Sequence, residues 1–357
     1  MLFDPLTIRG LTVKNRIWLP PMCQYMVQAR DGLPTDWHLV HYGSRAALGF
    51  GLMVMEATAV VPEGRITCQD LGLWDDAQVP ALAHIADFAH QFGAAVAIQL
   101  AHAGRKASAY PDLPDFPRGT AGPADGGWPI VGPSGQAFPG YAAPTALTLD
   151  QIAGIPAAFA AAARRADQAG LDAVEIHAAH GYLLHQFYSP LSNDRTDDYG
   201  GDFTGRTRLT RQVVAAVRQV WPDDKPLFVR LSASEWVDDG WTVEDTVDLA
   251  RELKTLGADL IDVSSGGNLV TQIPLGPGYQ VELAQRVRVG ADLPTTAVGL
   301  ITEPVQAEQI LRSGQADAVM IGRAGLREPG WPERAAAALG EPTPMAGPYL
   351  RGRWPRP

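Results

Sequence analysis

Residues 150–180 read DQIAGIPAAFAAAARRADQAGLDAVEIHAAH, and this stretch decides the fold. Its first part, Asp150–Ala169, is almost solid Ala, a helical composition, with Asp150 as the expected N-cap. Gly170 follows where a helix-terminating glycine belongs. Then comes Ala173–His177, a short apolar run without clean alternation, as in a parallel strand buried on both faces. Helix, glycine and buried strand in that order make one repeat of an α/β chain.

The unit recurs in both directions. Further strands are expected at Ile17–Leu19, Leu52–Ala57, Ala95–Leu100, Leu227–Leu231, Leu260–Val263, Thr295–Val298 and Ala318–Ile321. Another helix is expected at Thr242–Leu256, with Glu244 and Asp245 where the helix dipole favours negative charge. Gly257 and Gly314 repeat the role of Gly170. Eight such strands with their helices predict one α/β domain over residues 1–357, a closed (β/α)8 TIM barrel. An open doubly wound sheet fits less well, because no G-x-G-x-x-G follows the first strand. Leu2–Ile17 reads as a hairpin, turning near Arg9–Gly10, that caps one barrel end. Tyr110–Pro144, rich in Pro and Gly, reads as a long loop after strand three, on the face where barrel chemistry sits.

Composition narrows the function classes. The chain has 357 residues, 46% of them hydrophobic, enough for a large core. A net charge of −10 disfavours non-specific binding to nucleic acid or anionic membranes. No apolar run spans a bilayer and the N-terminus lacks a signal-peptide pattern, so a cytosolic protein is expected. Two cysteines, Cys23 and Cys68, exclude a disulfide framework or a four-cysteine cluster.

The strand ends are unusually polar: Pro21-Met22-Cys23-Gln24-Tyr25, Glu56-Ala57-Thr58, Gln99 to His102, His177 to Tyr182, Arg230, Ser264 to Gly267, Gly299 and Gly322-Arg323. From the pair alone, His177 and His180 read first as structural histidines and only second as metal ligands, since no third ligand stands at a recognisable spacing. Arg230, closing a strand of Leu227, Phe228 and Val229, needs an anionic or acceptor partner.

IHAAHGYLLHQFYSPLSNDRTDDYGG at 176–201 resembles the signature segment of the old yellow enzyme family. The resemblance runs through LFDPLTIRGLTVKNRI (2–17), QLAHAGRK (99–106), FVRLSAS (228–234), VGLI (298–301) and IGR (321–323). PMCQY (21–25) and YLRG (349–352) are similar to the cysteine-containing bacterial subgroup of xenobiotic reductases and thermophilic ene-reductases. That resemblance implies an FMN-dependent ene-reductase, with non-covalent FMN and NADPH or NADH as hydride donor; a xenobiotic, quinone or nitro-ester reductase is the alternative. It implies that His177 and His180 hold the substrate carbonyl (many members have His-Asn) and that Tyr182 donates the proton. Pro21, Met22, Cys23, Ala57, Gln99, His177, Arg230, Gly266, Gly299, Gly322 and Arg323 are then the cofactor residues. Cys23 tunes the flavin, Tyr25 reaches the substrate, and Lys106 matches without a settled role. The subgroup also implies a homodimer or dimer of dimers, its tail (345–357) carrying Arg351, or alternatively Trp354, into a neighbour's site. Trp236 and the long loop depart from the family pattern. Two-domain relatives with an iron–sulfur cluster are excluded by the cysteine count. Of the rivals from other classes, a metal-dependent barrel hydrolase using His177 and His180 fails for lack of a third ligand, and a non-enzymatic binding protein needs the strand-end residues to be inert.

Overall fold

The computed structural model describes residues 1–355. Eight parallel strands close a barrel: β1 (Ile17–Leu19), β2 (Leu52–Ala59), β3 (Ala95–Ala101), β4 (Ala173–Ala178), β5 (Leu227–Ser232), β6 (Leu260–Ser264), β7 (Thr295–Ala297) and β8 (Ala318–Met320). Each pairs with the next, and Val319 of β8 faces Ile17 of β1 to complete the circle. All expected strands form, because each is an apolar run buried along its whole length. The helices pack outside them, as a barrel requires.

The helix that decided the fold runs Leu149–Gln168, and its N-cap is Thr148 rather than Asp150. The Thr148 hydroxyl accepts from Gln151 N (3.2 Å) while Gln151 Oε1 accepts from Thr148 N (2.9 Å). This reciprocal pair satisfies two otherwise orphaned donors, leaving Asp150 in the first turn. Thr242 caps Val243–Thr255 in the same way. Gly170 (φ 72°) closes its helix in the left-handed region, where a side chain would be strained.

Three apolar clusters form among the described residues: a small one with Ala57, Ala101 and Ile130, and two that make the barrel core. The larger of these two lies between strands and helices. The smaller fills the lower barrel with Trp18, Phe228, Leu260 and Met320, and the hairpin Leu6–Ile8/Leu11–Val13 seals it with Ile8 and Val13. Trp18 and Phe228 stack across the barrel, centroids 5.8 Å apart. The excursion at 110–144 leaves after β3 as expected, but it is not featureless. Val131–Gly132 pairs with Thr145–Ala146 just beyond it. Arg195 Nη1 donates to Pro133 O and Leu147 O, each at 2.8 Å, and so pins the returning stem. Among the described residues no helix is long and apolar enough to cross a membrane.

Candidate active site

Inward-facing residues alternate along a strand, and above the lower core they change character in one step. Ala97 is followed by Gln99, Ala173 by Glu175 and His177, Phe228 by Arg230, and Leu260 by Asp262. Two cavities open above this layer. The first, about 290 Å³, is lined by Pro21, Met22, Arg230, Gly299, Gly322 and Arg323, which were all expected to meet a cofactor. The second, about 860 Å³, is lined by Tyr25, Lys106, Tyr182 and the 110–141 loop.

His177 and His180 lie between the two. The His177 ring meets Tyr182 edge-on (4.9 Å), and His180 Nε2 is 2.7 Å from the Ser264 hydroxyl, which lines the smaller cavity. The two imidazoles stand 5.2 Å apart at 80°. Burial, with Arg230 next, depresses both well below the ordinary histidine range. Each is therefore neutral at pH 7, with one N–H to offer. His177 Nδ1 is buried and has no partner among the described residues.

The backbone that presents them is bent. His180 has φ 58°, a left-handed conformation that costs a non-glycine residue strain. Ser232 Oγ accepts from its N–H (2.9 Å), and Lys106 Nζ donates to its carbonyl (2.8 Å) and to that of Gly267 (3.0 Å). Lys106 thus clamps the loops after β4 and β6 together. Burial lowers its ammonium to about 8.

Three hydroxyl or thiol groups complete the site. The Tyr182 phenol is pushed up by burial, then by Cys23 and Asp70, and stays protonated. Tyr25 (φ 55°) is pushed up by Cys23 first and burial second. Cys23 itself is raised by burial, Asp70 and Glu56, which keeps it a thiol rather than a thiolate. Its segment is held by Glu56 Oε2, which accepts from Gln24 N at 2.7 Å. Ala57 follows an irregularity in β2 and sits opposite Gln99, whose amide donates to Glu175 Oε1 (2.7 Å).

Not every expected residue joins the cavities. Cys23, Ala57, Gln99, His177, His180 and Gly266 line neither cavity. Gly266 lies in the bend after β6, where its carbonyl accepts from Ser232 Oγ (2.9 Å). Arg351 is exposed on the tail and lines neither cavity either. The tail forms a 3-10 turn, Gly347–Gly352, tied to its own barrel through Ala346 N to Ala47 O (2.8 Å) and Trp354 N to Glu333 Oε1 (3.2 Å). Its last residues, 356 and 357, lie outside the described residues. Sequence reasoning left out Tyr279 and Arg327 of the smaller cavity and the buried pair Glu175 and Asp262. The one available signal was a lone carboxylate inside each of two apolar strands.

The smaller cavity suits a planar, anionic cofactor. Arg323 and Arg327 supply positive charge beside Gly299, where an added Cβ would come within 2.9 Å of the Tyr279 ring. Arg230 Nε is a buried donor with no well-aligned acceptor, although Asp262 Oδ2 is 2.8 Å away. The residues present therefore fit a flavin mononucleotide.

Residues 1–341 match the NADH:flavin oxidoreductase / NADH oxidase family. An NADPH dehydrogenase of Geobacillus sp. (strain WCH70) is 46% identical over 353 residues, 99% of this chain and 98% of that protein. The old yellow enzyme homologue from Zymomonas mobilis superposes with a TM-score of 0.78 at 29% identity, covering 93% of this chain and 91% of that one. A 2-naphthoyl-CoA reductase complex superposes with a TM-score of 0.86 at 25% identity, this chain spanning 52% of that longer one. The chain belongs to the NADH:flavin oxidoreductase / NADH oxidase family. It is an NAD(P)H-dependent flavin oxidoreductase of the old yellow enzyme type, with FMN as its cofactor.

Proposed function

We propose that the protein reduces activated alkenes such as enals, enones, maleimides and nitroalkenes, adding hydride at the β-carbon and a proton at the α-carbon. The observation that carries this is the convergence of two neutral histidines and one protonated, half-buried tyrosine at the inner end of the larger cavity. Non-covalent FMN would supply the hydride chemistry here, with NADPH or NADH as the donor. Pro21, Met22, Ala57, Gln99 and Arg230 would hold its ring, and Gly299, Gly322 and Arg323 its phosphate, with Gly266 nearby.

The chain's own part is positional. His177 and His180 donate to the substrate oxygen, which gains negative charge as hydride arrives, so their attraction strengthens in the transition state. Neutral imidazoles suit this, since an extra proton would oppose the positive charge of Arg230. Tyr182 gives its proton to the α-carbon. Tyr25 bounds the substrate cavity, and Cys23, a thiol, tunes the flavin. Anaerobic addition of NADPH should bleach the yellow protein, and 2-cyclohexenone should restore the colour. A reduced protein that oxygen re-oxidises but the enone does not would refute the reading.

We further propose a cytosolic homodimer, or dimer of dimers, whose tail presents Arg351 to the neighbour's substrate cavity. Tyr349, Leu350 and Trp354 are exposed on that tail, which is anchored to the C-terminal end of the helix Asp36–Ala47. Truncation after Met345 should change subunit number and substrate affinity together.

A further inference from the structure

Two carboxyl groups and one guanidinium fill the barrel layer just below the histidines. Glu175 (β4) and Asp262 (β6) are fully buried, and Arg230 (β5), on the strand between them, is 6% exposed. If both acids ionised, the layer would carry a net negative charge with no water to screen it. One oxygen of each carboxyl is satisfied. Glu175 Oε1 accepts from Gln99 Nε2 at 2.7 Å, and Asp262 Oδ1 accepts from Thr296 Oγ1 at 2.5 Å. The other two, Glu175 Oε2 and Asp262 Oδ2, are buried with no hydrogen-bond donor among the described residues. Arg230 Nε approaches Asp262 Oδ2 to 2.8 Å but is itself unsatisfied, so the contact is ionic and not a directed hydrogen bond.

We propose that Glu175 and Asp262 share one proton, with Glu175 the acid and Asp262 the acceptor, and that this pair sets the charge Arg230 presents to the flavin. A single proton satisfies both orphaned oxygens and makes the trio neutral. The side chains are within hydrogen-bonding range of each other, and burial followed by Asp262 pushes the Glu175 acid up to about 8 against the pull of Arg230. The charged or titratable groups facing Glu175 are Arg230 and Asp262, with His177 two residues along its own strand; Gln99 and Thr296 are neutral. Glu175 and Asp262 are positioning residues that act through Arg230. The link to the flavin rests on Arg230 facing it, as proposed above; the shared proton does not.

Charge added beside Arg230 on reduction makes Glu175 hold its proton more tightly. Above pH 8, reduction should therefore carry one extra proton into the barrel. Two measurements on the holoenzyme separate the claims. The infrared difference between oxidised wild type and E175Q should show a protonated carboxyl band at pH 7 that fades with a midpoint near 8, apart from the Asp70 acid (about 7) that both proteins share. Absence of the band in the wild type at pH 7 would overturn the shared proton. Midpoint potentials followed from pH 6 to 10 should show one more proton taken up per reduction above pH 8 in the wild type than in E175Q. If the band is present but the two potential curves run parallel, the link to the flavin fails while the pair stands. Should E175Q not accumulate, a break in the wild-type potential curve near pH 8, present or absent, decides the same point.

Discussion

The two halves of the barrel interior are built from the same strands and inward positions, yet they do opposite things. Phe228 and Leu260 sit in a closed apolar plug under the hairpin; two residues further along the same strands, Arg230 and Asp262 form an ion pair. The lower half buries carbon, and the indole N–H of Trp18 is satisfied by Asn15 O (3.2 Å). The upper half buries orphaned polar atoms at His177, Glu175, Arg230 and Asp262. Unsatisfied groups of this kind are costly, so the difference indicates where stability is generated and where it is consumed for chemistry.

The upper half should break without disturbing the lower. Tyr182→Phe should slow re-oxidation by enones by about 10²–10⁴-fold and leave flavin reduction nearly intact. Stopped-flow traces in which both half-reactions slow equally would contradict the assignment. The reverse break is Phe228→Ala, which should cost about 3–5 kcal/mol in urea unfolding while the folded fraction turns over normally. A loss below about 1 kcal/mol would mean that the lower plug is not where stability resides. Removing either His177 or His180 by Ala should cost about 2.7–4 kcal/mol in transition-state stabilisation and weaken phenolic ligands. Full activity in the double variant would exclude the pair as carbonyl donors.

Proton titration sharpens the contrast. His177, His180, His185, His41 and His102 are all depressed by burial. The unfolded chain binds more protons there below its histidine value of 6.5, so stability falls as pH drops. Glu175 is raised to about 8 and Asp70 to about 7, both by burial first. The stability that their acid forms carry is complete below the unfolded carboxyl values and is lost as pH rises through 7 and 8. Unfolding midpoints should therefore peak near pH 6.5 and fall from there toward pH 7.5, before the depressed ammonium of Lys106 (about 8) begins to act in the opposite sense, and a steady rise between pH 6.5 and 7.5 would contradict this. Cys23→Ala is the smallest expected change: flavin should be retained, with a shifted potential and substrate preference. An unchanged potential would leave the thiol a packing residue.

How much of this was readable in advance follows from what each feature depends on. Strand positions depend on local apolar runs, so Ile17–Leu19 was read to the residue. The helix start was misplaced because Asp150 and Thr148 both resemble caps, and only the reciprocal bond with Gln151 separates them. Glu175 and Asp262 were passed over since a lone acid in AVEIHA or LIDVS acquires meaning only when the strands between them curl into contact. Lys106 was noticed without a role, as its clamp joins segments 74 and 161 residues away. The neutrality of the histidines is a product of burial, which no spacing rule contains.

The excursion after β3 carries a different consequence. It walls the larger cavity, and its returning stem is fastened by Arg195 and by a short strand pair that belong to neither the flavin side nor the histidines. Closing a flexible loop grows more costly only slowly with length, about 0.6 kcal/mol per doubling. Changes of length in its exposed stretch, residues 112–118, thus cost little in chain closure. The redox machinery can be inherited unchanged while the excursion drifts, so divergence within such a lineage should accumulate in what the enzyme admits before it touches what the enzyme does.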